Sequence, residues 1–226
     1  MTTQELQHRF NLEMERHGIY EPVMQTVVQD YINYAYQQYV TEKYDSLINN
    51  FEKFEITERI TKILAPLITT MTETTTFTAF TDFSIDGVYV KAPSDMQYII
   101  AERAEMSVTD CNGDTQTVKV DVKVMKHNMV EANRKNPFVK PDSTYKEIWR
   151  VSNWHEGDGV NRIELIPPSD GTITKYVARY LKKITEVDLY GGTTIEIDDS
   201  VHEEIAVRAA NMYLLTKPQE DEKENT

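Results

Sequence analysis

His202-Glu203 opens like the metal-binding helix of a zinc hydrolase, in which two histidines stand one turn apart, but Ala206 occupies the position of the second ligand. One helix face therefore cannot offer two ligands, and His202 reads as a structural or surface residue. The other histidines, His8, His17, His127 and His155, are scattered along the chain. Asp158 and Asn161, around the loop Glu156-Gly157-Asp158-Gly159, distantly resemble a calcium loop. The alternating oxygen ligands and the closing glutamate of such a loop are missing, so a plain mobile turn is the better reading. Cys111 sits beside a turn with no base close in sequence, and reads as an inert thiol, although a distant histidine can approach in space. No glycine spacing cradles a phosphate, and no Gly-x-Ser-x-Gly elbow occurs. Among 37 acidic residues none is marked by its surroundings as half of an acid–base pair. No catalytic, cofactor-binding or metal-binding residue is expected, and the chain does not read as an enzyme.

The remaining chemistry is that of recognition. Tyr31, Tyr34, Tyr36, Tyr39 and Tyr44 crowd one stretch, and Tyr36 is turned well away from Tyr31 on a helix. Some of them are then exposed or meet a partner, since tyrosine joins rigid apolar area to one hydroxyl. Packing in the chain's own core is the equally open alternative. A second candidate is the locally basic segment Lys126 to Asp142. Pro137 and Pro141 set a rigid, partly extended path there, and Phe138 between them is either an anchor for another chain or a cap on this chain's own core. The candidate partner interface is Tyr34, Tyr36, Arg134, Lys135, Asn136, Pro137, Phe138, Lys140 and Pro141.

The elements that position these residues follow from spacing. Thr2 and Glu5 form a capping box ahead of Leu6, Phe10 and Met14, and Gly18 ends that helix. Pro22 suits the first turn of a second helix, with Val27, Val28, Tyr31, Ile32, Ala35 and Tyr39 on one stripe. A third helix is expected from about Asp45 to Leu64, with Ile56, Ile60, Ile63 and Leu64 on one face and Pro66 at its end. The Thr-rich stretch 69–81 favours extended chain. Val118, Val120, Val122 and Val124 alternate with polar residues as a half-buried strand. Its expected partner is Glu105 to Thr109, joined through Cys111-Asn112-Gly113-Asp114, where Asn and Gly both tolerate positive φ. Further strands are expected at Glu147 to Val151, Arg162 to Ile166, Thr172 to Leu181 and Thr193 to Ile197. The segment 126–142 reads as a short helix and loop. Ser200 and Glu203 form another capping box before a closing helix that buries Val201, Ile205, Ala209, Met212 and Tyr213 and stops by Pro218.

This order predicts an α+β fold: N-terminal helices and a C-terminal helix packed together, with an antiparallel, sandwich- or barrel-like β insertion. The expected parts are a helical 1–68, a mainly β 69–197, a helix 198–218 packed on the N-terminal helices, and a disordered acidic tail 219–226. With 226 residues, 40% of them apolar, the chain can bury a core without disulfides. Its one cysteine suits assembly in a reducing cytoplasm. A polar N-terminus gives no sign of a secretory signal, and no apolar run spans a membrane. The net charge of −13 opposes non-specific DNA binding.

The stretch KHNMVEANRKNPFVKP, 126–141, precedes Trp149-Arg150, and RIELIPPSDGTITKYVARYLKKI, 162–184, leads to IDDSVHEEIAVRAANMYL, 197–214. This pattern resembles virion structural proteins of the crAss-like phages of gut Bacteroidales, and its order of elements resembles connector or tail-adaptor proteins of short-tailed phages. The Asn136-Pro137-Phe138 and Lys140-Pro141 positions match the family turn, whereas Val139 departs from an expected basic residue. The resemblance implies a non-enzymatic ring subunit of the head-to-tail connector, in twelve copies beneath the portal protein and stacked on other tail rings. DNA passes through the lumen without specific binding, and assembly takes place in the host cytoplasm with no cofactor and no membrane. The alternative is a carbohydrate- or receptor-binding tail module, which needs a concave groove for which Trp149 and Trp154 are the candidates.

Overall fold

The computed structural model describes residues 1–49, 54–82, 85–109, 112–134, 136, 138–144, 146–153 and 161–216. Cys111, Lys135, Pro137, Trp154, His155, Asp158 and the tail 219–226 lie outside the described residues. The fold is α+β, and the chain divides into two compact units: residues 1–67 with 184–226, and residues 68–183.

In the helical unit, α1 (Thr3–Arg16) starts at the expected capping box. The Thr2 hydroxyl accepts from the Glu5 amide at 3.3 Å, and the Thr2 amide donates to the Glu5 carboxylate at 2.7 Å. Gly18, at φ +79°, ends the helix as expected. Helix α2 (Gln25–Asn49) begins after Pro22 rather than with it in the first turn. The single third helix expected over 45–64 is replaced by an α2 that runs on to Asn49 and a separate α3 (Phe54–Leu64). Asn49, a weak helix former that competes for its own backbone, closes α2. A 3₁₀ turn, Ala65–Leu67, follows.

The closing helix α5 (His202–Thr216) packs on α1 and α2. The Tyr213 ring meets Phe10 of α1 edge-on at 6.1 Å and Tyr31 of α2 at 5.3 Å. Its start differs from the expected Ser200-Glu203 box. A 3₁₀ turn, Asp199–Val201, leads in, and Asp198 caps it by accepting the Ser200 amide at 2.9 Å.

The strand expected at Thr193 to Ile197 does not form; only an isolated bridge, Asp188 to Thr193, occurs there. Side chains engage the backbone of the wider connection 187–197 instead. Asn33 of α2 donates to the Val187 carbonyl at 3.1 Å and accepts the Val187 amide at 2.7 Å. Gln29 accepts the Leu189 amide at 3.0 Å, and His202 bonds the Ile197 carbonyl at 2.8 Å. The apolar residues Val187, Leu189, Ile195 and Ile197 are thereby buried in the helical unit.

The second unit is one curled eight-stranded sheet in the order β1-β8-β4-β5-β6-β7-β3-β2. Its strands are β1 (Ile68–Glu73), β2 (Thr78–Asp82), β3 (Ile85–Lys91), β4 (Met96–Thr109), β5 (Thr115–Val124), β6 (Glu147–Asn153), β7 (Arg162–Ile166) and β8 (Gly171–Lys182). Three register shifts along the β4–β8 pair, each a site of local bending, curl it. The expected β4–β5 hairpin forms, pairing Thr109 with Thr115, but only Gly113 of the Asn-Gly pair has positive φ, +88°. The sheet is mixed rather than antiparallel throughout, because β5 and β6 run parallel. Parallel neighbours need a crossover connection, and residues 125–146 with α4 (His127–Arg134) supply it.

Side-chain alternation gives the sheet two faces. On one, Ala104, Met106, Ile148, Leu165 and Tyr176 sit within the main cluster. On the other, Trp149, Val151 and Ile166 pack with Val130 of α4 and with Val139 and Met125.

Candidate interaction surface

The crossover that joins β5 to β6 explains the geometry of the candidate loop. Asn136 organises it: its carbonyl accepts the Val139 and Lys140 amides at 3.1 and 3.0 Å, and its side chain accepts the Phe138 amide at 3.0 Å. At the far end Asp142 accepts the Thr144 amide at 2.7 Å, and Ser143 bonds Asp170 at 2.5 Å. Pro141 is buried and Lys140 exposed. Val139 turns inward to the Trp149 cluster, which leaves Phe138 pointing out at 91% exposure. Val139, the position where a basic residue was expected, thus takes the core-capping role that was one alternative for Phe138. Asn136, Phe138, Lys140 and Pro141 lie together in this loop; Arg134 ends α4 beside it, and Lys135 and Pro137 lie outside the described residues.

The two tyrosines of the candidate interface separate. Tyr34, 55% exposed, accepts from Gln38 at 3.1 Å on a shallow groove lined by Gln37, Thr41, Glu42 and Asp45. Tyr36 is fully buried, which corrects its assignment to a partner surface. The buried stripe of α2 runs Val28, Ile32, Ala35, Tyr36, Tyr39 and Val40, so Tyr36 belongs to it as the i+4 neighbour of Ile32. Tyr31 lies at the half-buried edge of that stripe, so a side chain turned well away from it can still face the core.

His202 is buried. Its Nε2 meets the Ile197 carbonyl, while Nδ1 lies 3.3 Å from the Met1 amine and 3.1 Å from the Asp199 carboxylate. Asp199 is held below the usual carboxylate range, first by its hydrogen bond to that amine and then by His202. Among the described residues no cluster of His, Cys, Asp and Glu is placed to hold a metal ion, and no helix is long and apolar enough to cross a membrane. Trp149, offered as a carbohydrate platform, is fully buried, so its ring cannot stack on a sugar.

Two features had no signal in the sequence. Arg150 Nε donates to one Glu102 oxygen at 2.9 Å and lies 2.8 Å from the other, and Tyr176 donates to the same carboxylate at 2.7 Å. The three residues come from β6, β4 and β8 and lie far apart in the chain, so only strand order brings them together. Burial, and then the Glu102 charge, push the Tyr176 hydroxyl far above its ordinary pKa. The arrangement is a satisfied structural network and offers no open substrate position. The second feature is a cleft of about 300 Å³ beside Trp149, with Lys140, Pro141, Ile166, Pro167 and Pro168 on its wall.

No curated protein matches the chain. The sequence model of one family, described as phage tail ring protein 3/4, matches residues 1–225. The match spans both compact units, and the chain belongs to the phage tail ring protein 3/4 family, structural components of the phage virion.

Proposed function

We propose that this chain is a non-enzymatic subunit that closes, in twelve copies, into a ring of the head-to-tail connector beneath the portal protein, and that DNA leaves the virion through its lumen. The family match carries this reading. The Phe138 loop and the Tyr34 groove support it, since a rotational ring needs heterologous contacts between two unlike patches of each subunit. A net charge of −13 suits a channel wall that must let phosphate pass. The single cysteine suits assembly in the host cytoplasm before lysis. Sedimentation and electron microscopy of the purified chain, alone and with portal protein, test the proposal. Rings that stack on the portal are the expected result. A chain that stays monomeric at all concentrations and ignores the portal sinks it.

A further inference from the structure

The sheet has two free edges, and the chain path keeps them from meeting. Strands β1 and β2 flank the eight-stranded order, and among the described residues neither has a second strand partner. Of the seven joints between them six are antiparallel and one, β5–β6, is parallel, so β1 and β2 run in the same direction. Parallel neighbours need a return connection of about a dozen residues or more. Only residues 74–77 link β1 to β2. Glu73 folds that link up, its carboxylate accepting the Thr74, Thr75 and Thr76 amides at 3.0, 3.0 and 2.8 Å. Even extended, such a link spans at most about 14 Å, less than the ~20 Å needed to run back along β1. The two edges of one copy therefore cannot zip together side by side.

Both edges suit the addition of another strand. β1 reads Ile-Thr-Thr-Met-Thr-Glu and β2 reads Thr-Ala-Phe-Thr-Asp. Neither carries the proline, lysine or bulge by which exposed edges are usually blunted, and both pair with their inner neighbours in unbroken register. In each, alternate residues turn a backbone N–H and C=O away from the sheet. Met71 of β1 and Phe77 of the link pack against the main core cluster while only partly buried, so the core reaches this seam without a full cover. We infer that the β1 edge of one subunit pairs, backbone to backbone, with the β2 edge of the next, so that one sheet runs from copy to copy. Each copy brings one edge of either kind, the unlike pair that a head-to-tail joint requires. The family match supplies the neighbour, a second copy in a ring. This joint rests on the ring reading, and deepens it by naming surfaces that meet.

Thr70, Thr72 and Thr78 are exposed, so charge placed there reaches the joint without entering the core. In the full chain, Thr70→Lys, Thr72→Lys and Thr78→Lys together set like charges on its two sides. Association in sedimentation should weaken on the order of tenfold or more, although the added lysines reduce the overall negative charge. Thr70→Lys and Thr72→Lys combined with Thr78→Glu should restore it, because every β1–β2 contact then joins opposite charges. Circular dichroism and denaturation check that both variants fold. Hydrogen exchange of the parent chain needs no variant and decides alone where one fails to fold. On assembly, alternate amides of 68–73 and 78–82 should exchange about tenfold slower or more than at a dilution where sedimentation shows monomers. An all-lysine variant that assembles like the parent overturns the joint. So does a Lys–Glu variant that stays dissociated, the result expected if β1 meets β1 of another copy or if a different protein takes the edge. Edge amides that exchange as fast in the assembly as in the monomer overturn it as well. If rings form whatever these edges carry, the joint fails and the ring reading stands. If open chains form in place of rings and follow the same charge dependence, the ring reading fails and edge pairing stands.

Discussion

Tyr36 and Phe138 are large aromatic side chains at opposite ends of the burial scale, 0% and 91% exposed. That contrast separates stability from assembly. Tyr36→Ala removes a ring from the helical core and should lower stability by about 3–5 kcal/mol, read by chemical denaturation. Phe138→Ala removes no contact from the core and should melt within ~0.5 kcal/mol of the parent, while ring formation in sedimentation falls. Normal melting together with normal assembly would remove Phe138 from the interface. The buried tyrosines also set an alkaline limit. Burial raises Tyr36, Tyr39 and Tyr176, with Tyr39 pushed up to about 12. A hydroxyl whose folded pKa lies above its unfolded value near 10 contributes stability in full below that value, and the contribution is lost as pH rises toward the folded pKa. Stability should therefore be flat to about pH 9 and fall above about pH 10, with these three tyrosines absorbing as phenolates only on unfolding. Early, fully reversible ionisation of every tyrosine in the folded chain would contradict their burial.

At the scale of elements, local chemistry was legible and long-range pairing was not. The Thr2–Glu5 box and the alternating valines of β5 act through neighbours in sequence, and both formed as read. The Asn136 turn was recognisable for the same reason, although its inward residue is Val139. The parallel β5–β6 pairing, which explains why the segment after β5 lies over the sheet at all, has no local signature. Nor has the fate of Thr193 to Ile197, whose alternating pattern suits a strand but whose Ile197 carbonyl is met by His202 of α5, while Asn33 and Gln29 of α2 hold the backbone of Val187 and Leu189 just before it. The Glu102–Arg150–Tyr176 network and the Trp149 cleft depended on that same unseen strand order. Strand β3 shows how tight the resulting packing is. A Cβ on Gly87 would stand 2.7 Å from the Phe80 ring of β2 and 2.9 Å from the Leu165 carbonyl of β7. The ring can turn, but the carbonyl belongs to the paired strand. Gly87→Ala should destabilise the sheet by about 1–3 kcal/mol, measured as a lower denaturation midpoint. An unchanged midpoint would mean that β3 and β7 sit farther apart.

For the whole molecule, charge and chain path give the governing arguments. With −13 at neutral pH, the chain should show only weak binding to duplex DNA at physiological salt. Tight, salt-sensitive retention in a mobility assay would contradict a lumen that lets DNA pass. The chain path leads to a stronger expectation. The helical unit is assembled from both ends of the described chain, whereas the sheet unit is one continuous stretch, 68–183. Ile68, at the start of β1, is the register partner of Leu181 near the end of β8, so the points where the chain enters and leaves this unit are strand neighbours. The unit also has its own buried cluster on each face of the sheet, built wholly from its own residues. A segment with adjacent ends and a private core is an insertion that closes on itself. We propose that residues 68–183 fold alone. Expressed as a fragment, they should give a β-type far-ultraviolet spectrum and one cooperative unfolding transition. The Trp149 emission of that fragment should match that of the intact chain when Trp154→Phe is present in both. Loss of cooperativity, with exposed apolar surface that binds a reporter dye, would show that the sheet depends on the helices for its stability.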